Sequence, residues 1–337
     1  MSKRSSQQNS LLAMGMATAI AFGAGPAQAM EVKVGGFAGA FGSYDQKAKT
    51  VNFNLDETKI IPMVTFAENI SFLSEFVYDF DRTATDLGKA TGNKIPLKLE
   101  QVIFNYNFLP VANLTAGQMR IPFGFWDDLS AKRKAARIKN TDSILGFKLR
   151  KRDIGIQLWG DVLPASLLNY RLAVVNGNGE NVNKDNDTAK DMVGRIGTSL
   201  GPLNIGCNGY WGTPFTAGIT KYAAGVDYQL QATDALMLSG EFAYNSNNLA
   251  GAKKVEGSAW GGYVQANYSL YDLVPGLRLV ALYDIYSETI GETKPLQTEY
   301  VGGFRYRLAP GVTWVVNGIY DAVPDETSLI AKFEVVF

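Results

Sequence analysis

The feature that most limits the fold is a side-chain alternation of period two that recurs along the chain. At the C-terminal end Leu329, Ala331, Phe333, Val335 and Phe337 fall on one face, and Lys332 and Glu334 on the other. The pattern returns at Val102, Phe104, Tyr106 and Phe108, with Gln101, Asn105 and Asn107 between them. It returns again at Tyr300, Phe304, Tyr306 and Leu308, with Glu299, Arg305 and Arg307 opposite. Successive side chains of a strand point to opposite faces, so these segments read as two-faced β-strands. Their apolar faces are rich in Tyr and Phe near the ends, and their polar faces carry full charges. That combination suits strands with bilayer on one side, aromatic girdles at its two surfaces, and water on the other side.

A soluble sandwich also alternates, with its polar face outward, and the N-terminus weighs between the two. Lys3 and Arg4, the apolar run from Leu11 to Ala21, and Ala27-Gln28-Ala29 follow the order of a secretory signal peptide over 1–29. Residues 30–337 are then expected to form one exported domain. That part lacks the roughly 20 consecutive apolar residues of a membrane helix. Only helices and closed barrels satisfy every backbone polar group in lipid, so a membrane-crossing form must be a barrel. Phe333, Val335 and Phe337 read as the C-terminal signal taken by barrel-assembly machinery.

The expectation is an all-β, transmembrane antiparallel β-barrel of about 16 strands. The segments are 31–42, 58–68, 70–81, 98–108, 112–123, 152–161, 166–176, 190–200, 202–211, 221–231, 234–246, 259–270, 276–288, 298–308, 311–321 and 327–337. Connections alternate in length. Short links such as Pro110-Val111, Leu163-Pro164-Ala165, Gly201-Pro202, Ala232-Thr233-Asp234 and Ala309-Pro310-Gly311 fall between longer polar stretches at 43–57, 82–97, 177–189, 212–220, 247–258 and 289–297. Short periplasmic turns and long external loops are what a bacterial barrel requires.

The longest connection, 124–151, is the candidate constriction, because a loop this long in a compact fold is usually functional. It carries Lys132, Arg133, Lys134, Arg137 and Lys139, then Lys148, Arg150 and Lys151, against Asp127, Asp128 and Asp142. Folded into the lumen as the third external loop, such a run would concentrate anions and repel cations. The plainer reading is a solvated loop that touches lipopolysaccharide phosphates. Period-two reasoning also aims Arg120, Arg171, Arg195, Arg278, Arg305 and Arg307 at the lumen, since an Arg facing lipid at mid-depth costs about 2–4 kcal/mol. Some of them are expected to pair across the wall with Glu75, Asp79, Asp153, Glu241 or Glu299.

Composition removes other classes. Lys+Arg and Asp+Glu balance at 32 each, and the leader takes two of the cations, so bulk charge gives no argument for nucleic acid. Histidine is absent, which removes the base that outer-membrane lipases and proteases use to activate serine or water. With Cys207 as the single cysteine there is no disulfide framework, no Cys/His metal site and no haem-attachment motif, and no cofactor is expected. Cys207 reads as a small apolar residue facing lipid or a neighbour. Gly177-Asn178-Gly179 reads as a turn and not half a nucleotide fingerprint. Asp185, Asp187 and Asp191 read as a solvated acidic loop before a divalent-cation site.

Three stretches carry a family resemblance: Gly117-Gln118-Met119-Arg120-Ile121-Pro122-Phe123-Gly124, Arg152-Asp153-Ile154-Gly155-Ile156-Gln157, and Tyr170-Arg171-Leu172-Ala173-Val174-Val175-Asn176-Gly177-Asn178-Gly179. Together they resemble the phosphate-selective porin O and P family, most densely over 117–200. The resemblance implies an outer-membrane porin of Gram-negative bacteria, a homotrimer whose basic third loop and lumen conduct anions, phosphate or polyphosphate among them. A general diffusion pore for small anionic or polar solutes stands close behind. The rival from another class is a structural or sheath barrel of an envelope complex without free conductance.

Overall fold

The computed structural model describes residues 30–56, 58–78, 97–124, 152–163, 167–177, 189–212, 220–246, 258–288, 296–323 and 325–337. Its strands are β1 (Glu31–Asp45), β2 (Thr50–Leu55), β3 (Thr58–Ala67), β4 (Ile70–Tyr78), β5 (Leu97–Leu109), β6 (Ala112–Arg120), β7 (Arg152–Leu163), β8 (Leu168–Val175), β9 (Asp191–Leu200), β10 (Leu203–Gly212), β11 (Lys221–Gln231), β12 (Leu236–Ser246), β13 (Ser258–Ser269), β14 (Leu277–Glu288), β15 (Gln297–Ala309), β16 (Val312–Asp321) and β17 (Glu326–Val336). Consecutive strands pair antiparallel, except that β2 and β3 both pair with β1, and β17 returns to β1 to close the sheet. The expected leader, 1–29, lies outside the described residues.

β2 and β3 lie end to end along one edge of β1, against Ala40–Asp45 and Glu31–Phe37 respectively. They are two halves of one wall strand, so the barrel is sixteen-stranded. Between them the step from Ala40 to Phe37 on β1 faces the longer step from Leu55 to Lys59, which is the extra residue of a β-bulge. This corrects one expectation. The polar stretch 43–57 is not a long loop: β1 continues to Asp45, turns over 46–49 with Asp45 Oδ1 accepting the Ala48 N–H at 2.8 Å, and returns as β2. Val51, Phe53 and Leu55 are exposed on the outside of β2, an alternation too short to read once the bulge at Asp56 interrupts it.

Outside and inside differ as a bilayer-spanning barrel demands. Ile156, Leu158, Leu172, Val174, Ile196, Leu279, Leu329, Phe333 and Val335 are exposed on the exterior, while alternate residues such as Asp153, Asp227, Asp284, Asn317 and Glu334 are buried on the inner face. An apolar exterior above a charged interior reverses the arrangement of a soluble protein. Aromatic rings mark the exterior at two heights. The rings of Tyr283, Tyr300 and Tyr320 adjoin in sequence with centroids 5.2 and 6.1 Å apart, and those of Phe304, Trp314 and Phe333, the first pair edge to face, at 5.4 and 6.0 Å nearer the opposite rim. Among the described residues no helix is long and apolar enough to cross a membrane.

Candidate functional site: the inner wall

On the arc β3–β7 five strands bring their inward charges together. Lys59 donates to Glu75 Oε1 at 3.1 Å and to Glu100 Oε2 at 2.9 Å, and both carboxylates are buried. Arg152 reaches Glu100 at 2.5 Å, Lys98 lies 3.7 Å from it, and Arg120 lies 3.6 Å from Glu75, which also accepts from Gln101. Glu100 joins the cluster through a register shift: Glu75 faces Gln101 while Phe76 faces Leu99, leaving Glu100 as the extra residue. Gln118 Nε2 donates to the carbonyls of Leu99 and Glu100 at 2.7 and 3.1 Å, so both acceptors at the interruption are satisfied.

A second cluster holds the seam where the barrel closes. Lys332 on β17 is bound by Asp56 at the bulge, at 2.5 Å, and by Glu334, at 2.8 Å, with its ammonium 5.0 Å above the ring centre of Phe37 on β1. Three separate strands are thereby tied through one cation.

The third cluster receives the start of the long connection. After β6 the chain does not stay over its own strand. Ile121 and Phe123 pack on an apolar patch of the inner wall made by Ala173, Val175, Val193, Tyr210 and Ala223. Gly124 donates its N–H to Asn208 Oδ1 at 3.0 Å, and Asn208 Nδ2 donates to Asp227 Oδ2 at 2.8 Å. Asp227 also accepts from Arg195 at 2.6 and 2.9 Å. Gly124 has φ +69°, and a Cβ there would stand 2.6 Å from Glu241 Oε2. Four residues beyond its strand the chain has therefore crossed to β10–β12.

Register places two further sets of charges on the inner face. One is an acidic row at a single height: Asp227 faces Glu241, Glu241 faces Tyr263, Tyr263 faces Asp284, Asp284 faces Glu299, and Glu299 faces Asp321. The other is basic and lies toward the rim that carries the short turns 232–235, 270–276 and 310–311. There Arg278 faces Arg305 directly, and Arg307 follows on the same side of β15. Arg305 reaches Thr313 Oγ1 at 3.3 Å, and no described carboxylate comes within ion-pair distance of the three arginines.

The residues singled out from sequence fall as follows. Lys132, Arg133, Lys134, Arg137 and Lys139 lie outside the described residues, as does Asp79. Arg120 joins the first cluster and Arg195 the third, and Arg171 stands opposite Arg195 on β8. Arg278, Arg305 and Arg307 form the basic set. Phe333, Val335 and Phe337 are exposed on the exterior, and so is Cys207. Asp191 corrects an expectation: it is no loop residue but sits on β9, buried on the inner face, and accepts from the Tyr210 hydroxyl. Lys59 and Lys98 were not among the residues expected at the site, and Arg152 and Lys332 were placed on strands without a site role. A lone charge at the inward parity of an apolar strand was the available signal, and Lys59 among Ile60, Ile61 and Met63 shows it.

The sixteen-stranded closure is shared with solved structures. Salmonella typhi OmpF in complex with daunomycin superposes with a TM-score of 0.67 over 91% of this chain and 97% of that one, at 11% identity. The chain has the porin fold. The anion-selective porin from Comamonas acidovorans gives 0.63 over 92% and 100% at 11% identity, and the outer-membrane expressed OmpT of Vibrio cholerae 0.66 over 92% and 98% at 9%. No protein-family description and no curated protein sequence matches the chain. What is shared at these identities is the fold of the wall. The charges on the inner face are this chain's own.

Proposed function

We propose that the chain is an outer-membrane porin that admits small hydrophilic solutes by passive diffusion and prefers anions, phosphate-like oxyanions among them. The observation that carries the preference is the set Arg278, Arg305 and Arg307. Like charges placed directly opposite on neighbouring strands repel, and Arg305 Nε is buried without a hydrogen-bond partner. Guanidinium groups held in that state are relieved by an oxyanion, which they bind in bidentate fashion. The basic run Lys132, Arg133, Lys134, Arg137 and Lys139 adds to this reading, with 124–151 as a constriction loop in the lumen. A barrel of the same fold, the porin from Comamonas acidovorans, is anion-selective, which supports the reading.

The wider reading has a leader over 1–29, removed on export, recognition of Phe333, Val335 and Phe337 by barrel-assembly machinery, lipopolysaccharide around the external rim, and a homotrimer. It is a channel and not a catalyst.

Single-channel recording across a salt gradient tests it. A reversal potential of the sign given by anion flow is expected, moving toward zero in Arg278→Gln/Arg305→Gln/Arg307→Gln, with chloride current blocked by added inorganic phosphate. Cation preference that the triple substitution leaves unchanged overturns the anion reading, and a barrel without conductance steps overturns the channel in favour of a structural role.

A further inference from the structure

Two amides on the inner face find nothing in the wall to bind. Gln265 and Asn267 lie on β13 at the inward parity of Tyr263, 5% and 6% exposed, and neither Gln265 Oε1 nor Asn267 Nδ2 has a hydrogen-bond partner. Their neighbours across the ladder explain why. On β14 Gln265 faces Leu282 and Asn267 faces Val280, both hydrocarbon. On β12 the Ser239 hydroxyl opposite Gln265 makes no bond to Oε1, and Met237 opposite Asn267 is apolar. Buried amide atoms in folded proteins are nearly always paired, so these two call for a partner that the wall does not supply.

The amides adjoin the arginine set. Ser269 faces Arg278, so Asn267, two residues back along β13, is the diagonal neighbour of Arg278. Such neighbours stand about 7–8 Å apart, within reach of long side chains. Arg278 in turn faces Arg305. Arg278 and Arg307 are exposed, and Arg305 is half-buried, donating to the Thr313 hydroxyl at 3.3 Å with its Nε unpartnered. On the other flank Glu334 faces Thr313 and is held, together with Asp56, by Lys332. Counted together, the three arginines and Lys332 exceed Asp56 and Glu334 by two charges.

We infer that this stretch of wall binds a phosphorylated polyol, a sugar phosphate in kind, with its phosphate on Arg278, Arg305 and Arg307 and its hydroxyls on Asn267 and Gln265. The inference deepens the channel reading and rests on it for the entry of solute to the inner face. Phosphate suits the arginines better than carboxylate does. A phosphate monoester carries about two negative charges at neutral pH and three terminal oxygens, enough for more than one guanidinium fork. Hydroxyls are what the amides lack: each both donates and accepts, so one serves Gln265 Oε1 and another Asn267 Nδ2. Gln265 lies roughly 7 Å beyond Asn267 along β13, away from the arginines, so the wall reads a carbon chain that extends from the phosphate. Bare phosphate fills the arginine end and leaves the amides unmet.

Block of chloride current in planar bilayers tests the inference, with inorganic phosphate, free glucose, and glucose phosphorylated on its terminal hydroxyl as probes. In the full-length protein the glucose phosphate is expected to half-block at a concentration about fivefold or more below that of inorganic phosphate, the gain from one net hydrogen bond, and free glucose not to block in that range. Gln265→Met/Asn267→Leu, which replaces the amides by apolar side chains of similar size, is expected to bring the two anions to a common half-blocking concentration; Asn267→Leu alone narrows the gap should the pair not fold. Equal block by both anions in the unaltered protein, a gap that the amide substitutions leave in place, or block by glucose as strong as by its phosphate overturns the inference. Equal block that Arg278→Gln/Arg305→Gln/Arg307→Gln abolishes leaves the anion reading standing without it. If neither anion blocks, the inference fails, and a reversal potential of cationic sign shows that the anion reading has failed as well.

Discussion

The backbone N–H of Gly124 and the side-chain oxygen of Asn208, 84 residues apart in sequence, are joined by a hydrogen bond of 3.0 Å inside the barrel. Asn208→Ala leaves that donor without its partner, a local cost of about 1–3 kcal/mol. In planar bilayers we expect a noisier open level with a changed mean conductance. Asn113→Ala, whose amide reaches only the Trp159 carbonyl at 3.4 Å, is expected to leave the trace unchanged. Identical traces for both variants contradict a pinning role for Asn208.

Lys59 bridges two buried carboxylates, and its loss strands them. Lys59→Met is expected to destabilise the barrel by about 3 kcal/mol, the lower end for a broken buried pair, because Arg120 and Arg152 still attend Glu75 and Glu100. Lys59→Met/Glu75→Gln/Glu100→Gln removes charge from both sides and is expected to recover more than half of the loss. The readout is the temperature at which the compact electrophoretic form disappears; a triple variant no better than the single one refutes the bridge.

Gly117 takes φ +124°, and a Cβ there would collide with the Val102 carbonyl oxygen. Gly117→Ala is expected to cost about 1–3 kcal/mol in urea unfolding through backbone strain. Gly302→Ala, with open space around the added carbon, is expected to be neutral.

Cys207 gives a test of which face meets lipid. In proteoliposomes an apolar maleimide should label it, and a charged thiol reagent entering the lumen should not. The reverse is expected of Asn208→Cys in a Cys207→Ser background, one residue along the strand and turned inward. Equal labelling of both positions by the charged reagent is incompatible with the assigned faces.

How much was legible from sequence depends on which connections are short. The tight links at Gly201-Pro202 and Pro310-Gly311 fix the register of their hairpins, so facing pairs such as Cys207 and Ile196 follow from the turn alone. External connections carry no such information. Asp284 opposite Glu299, and Arg278 opposite Arg305, are set across 289–296, and neither the acidic row nor the arginine set could be assembled without that register. The cluster at Lys59 was hidden for another reason: Glu100 reaches it through a bulge, and a bulge shifts parity without leaving a distinctive residue. Parity itself was readable wherever a strand alternated without interruption, as β17 does.

At the seam, Gly36 and Phe337 exchange backbone hydrogen bonds of 2.8 and 3.2 Å, and the ring of Phe337 lies against the α-carbon of Gly36. The earliest and latest portions of the wall are thus mutual partners, and neither can be satisfied before the other exists. Ribosomal synthesis runs in one direction, so β1 emerges with an unmet edge and keeps it until β17 has been made. Closure of the barrel is consequently timed by β17, and a copy lacking that strand would remain adhesive along two margins.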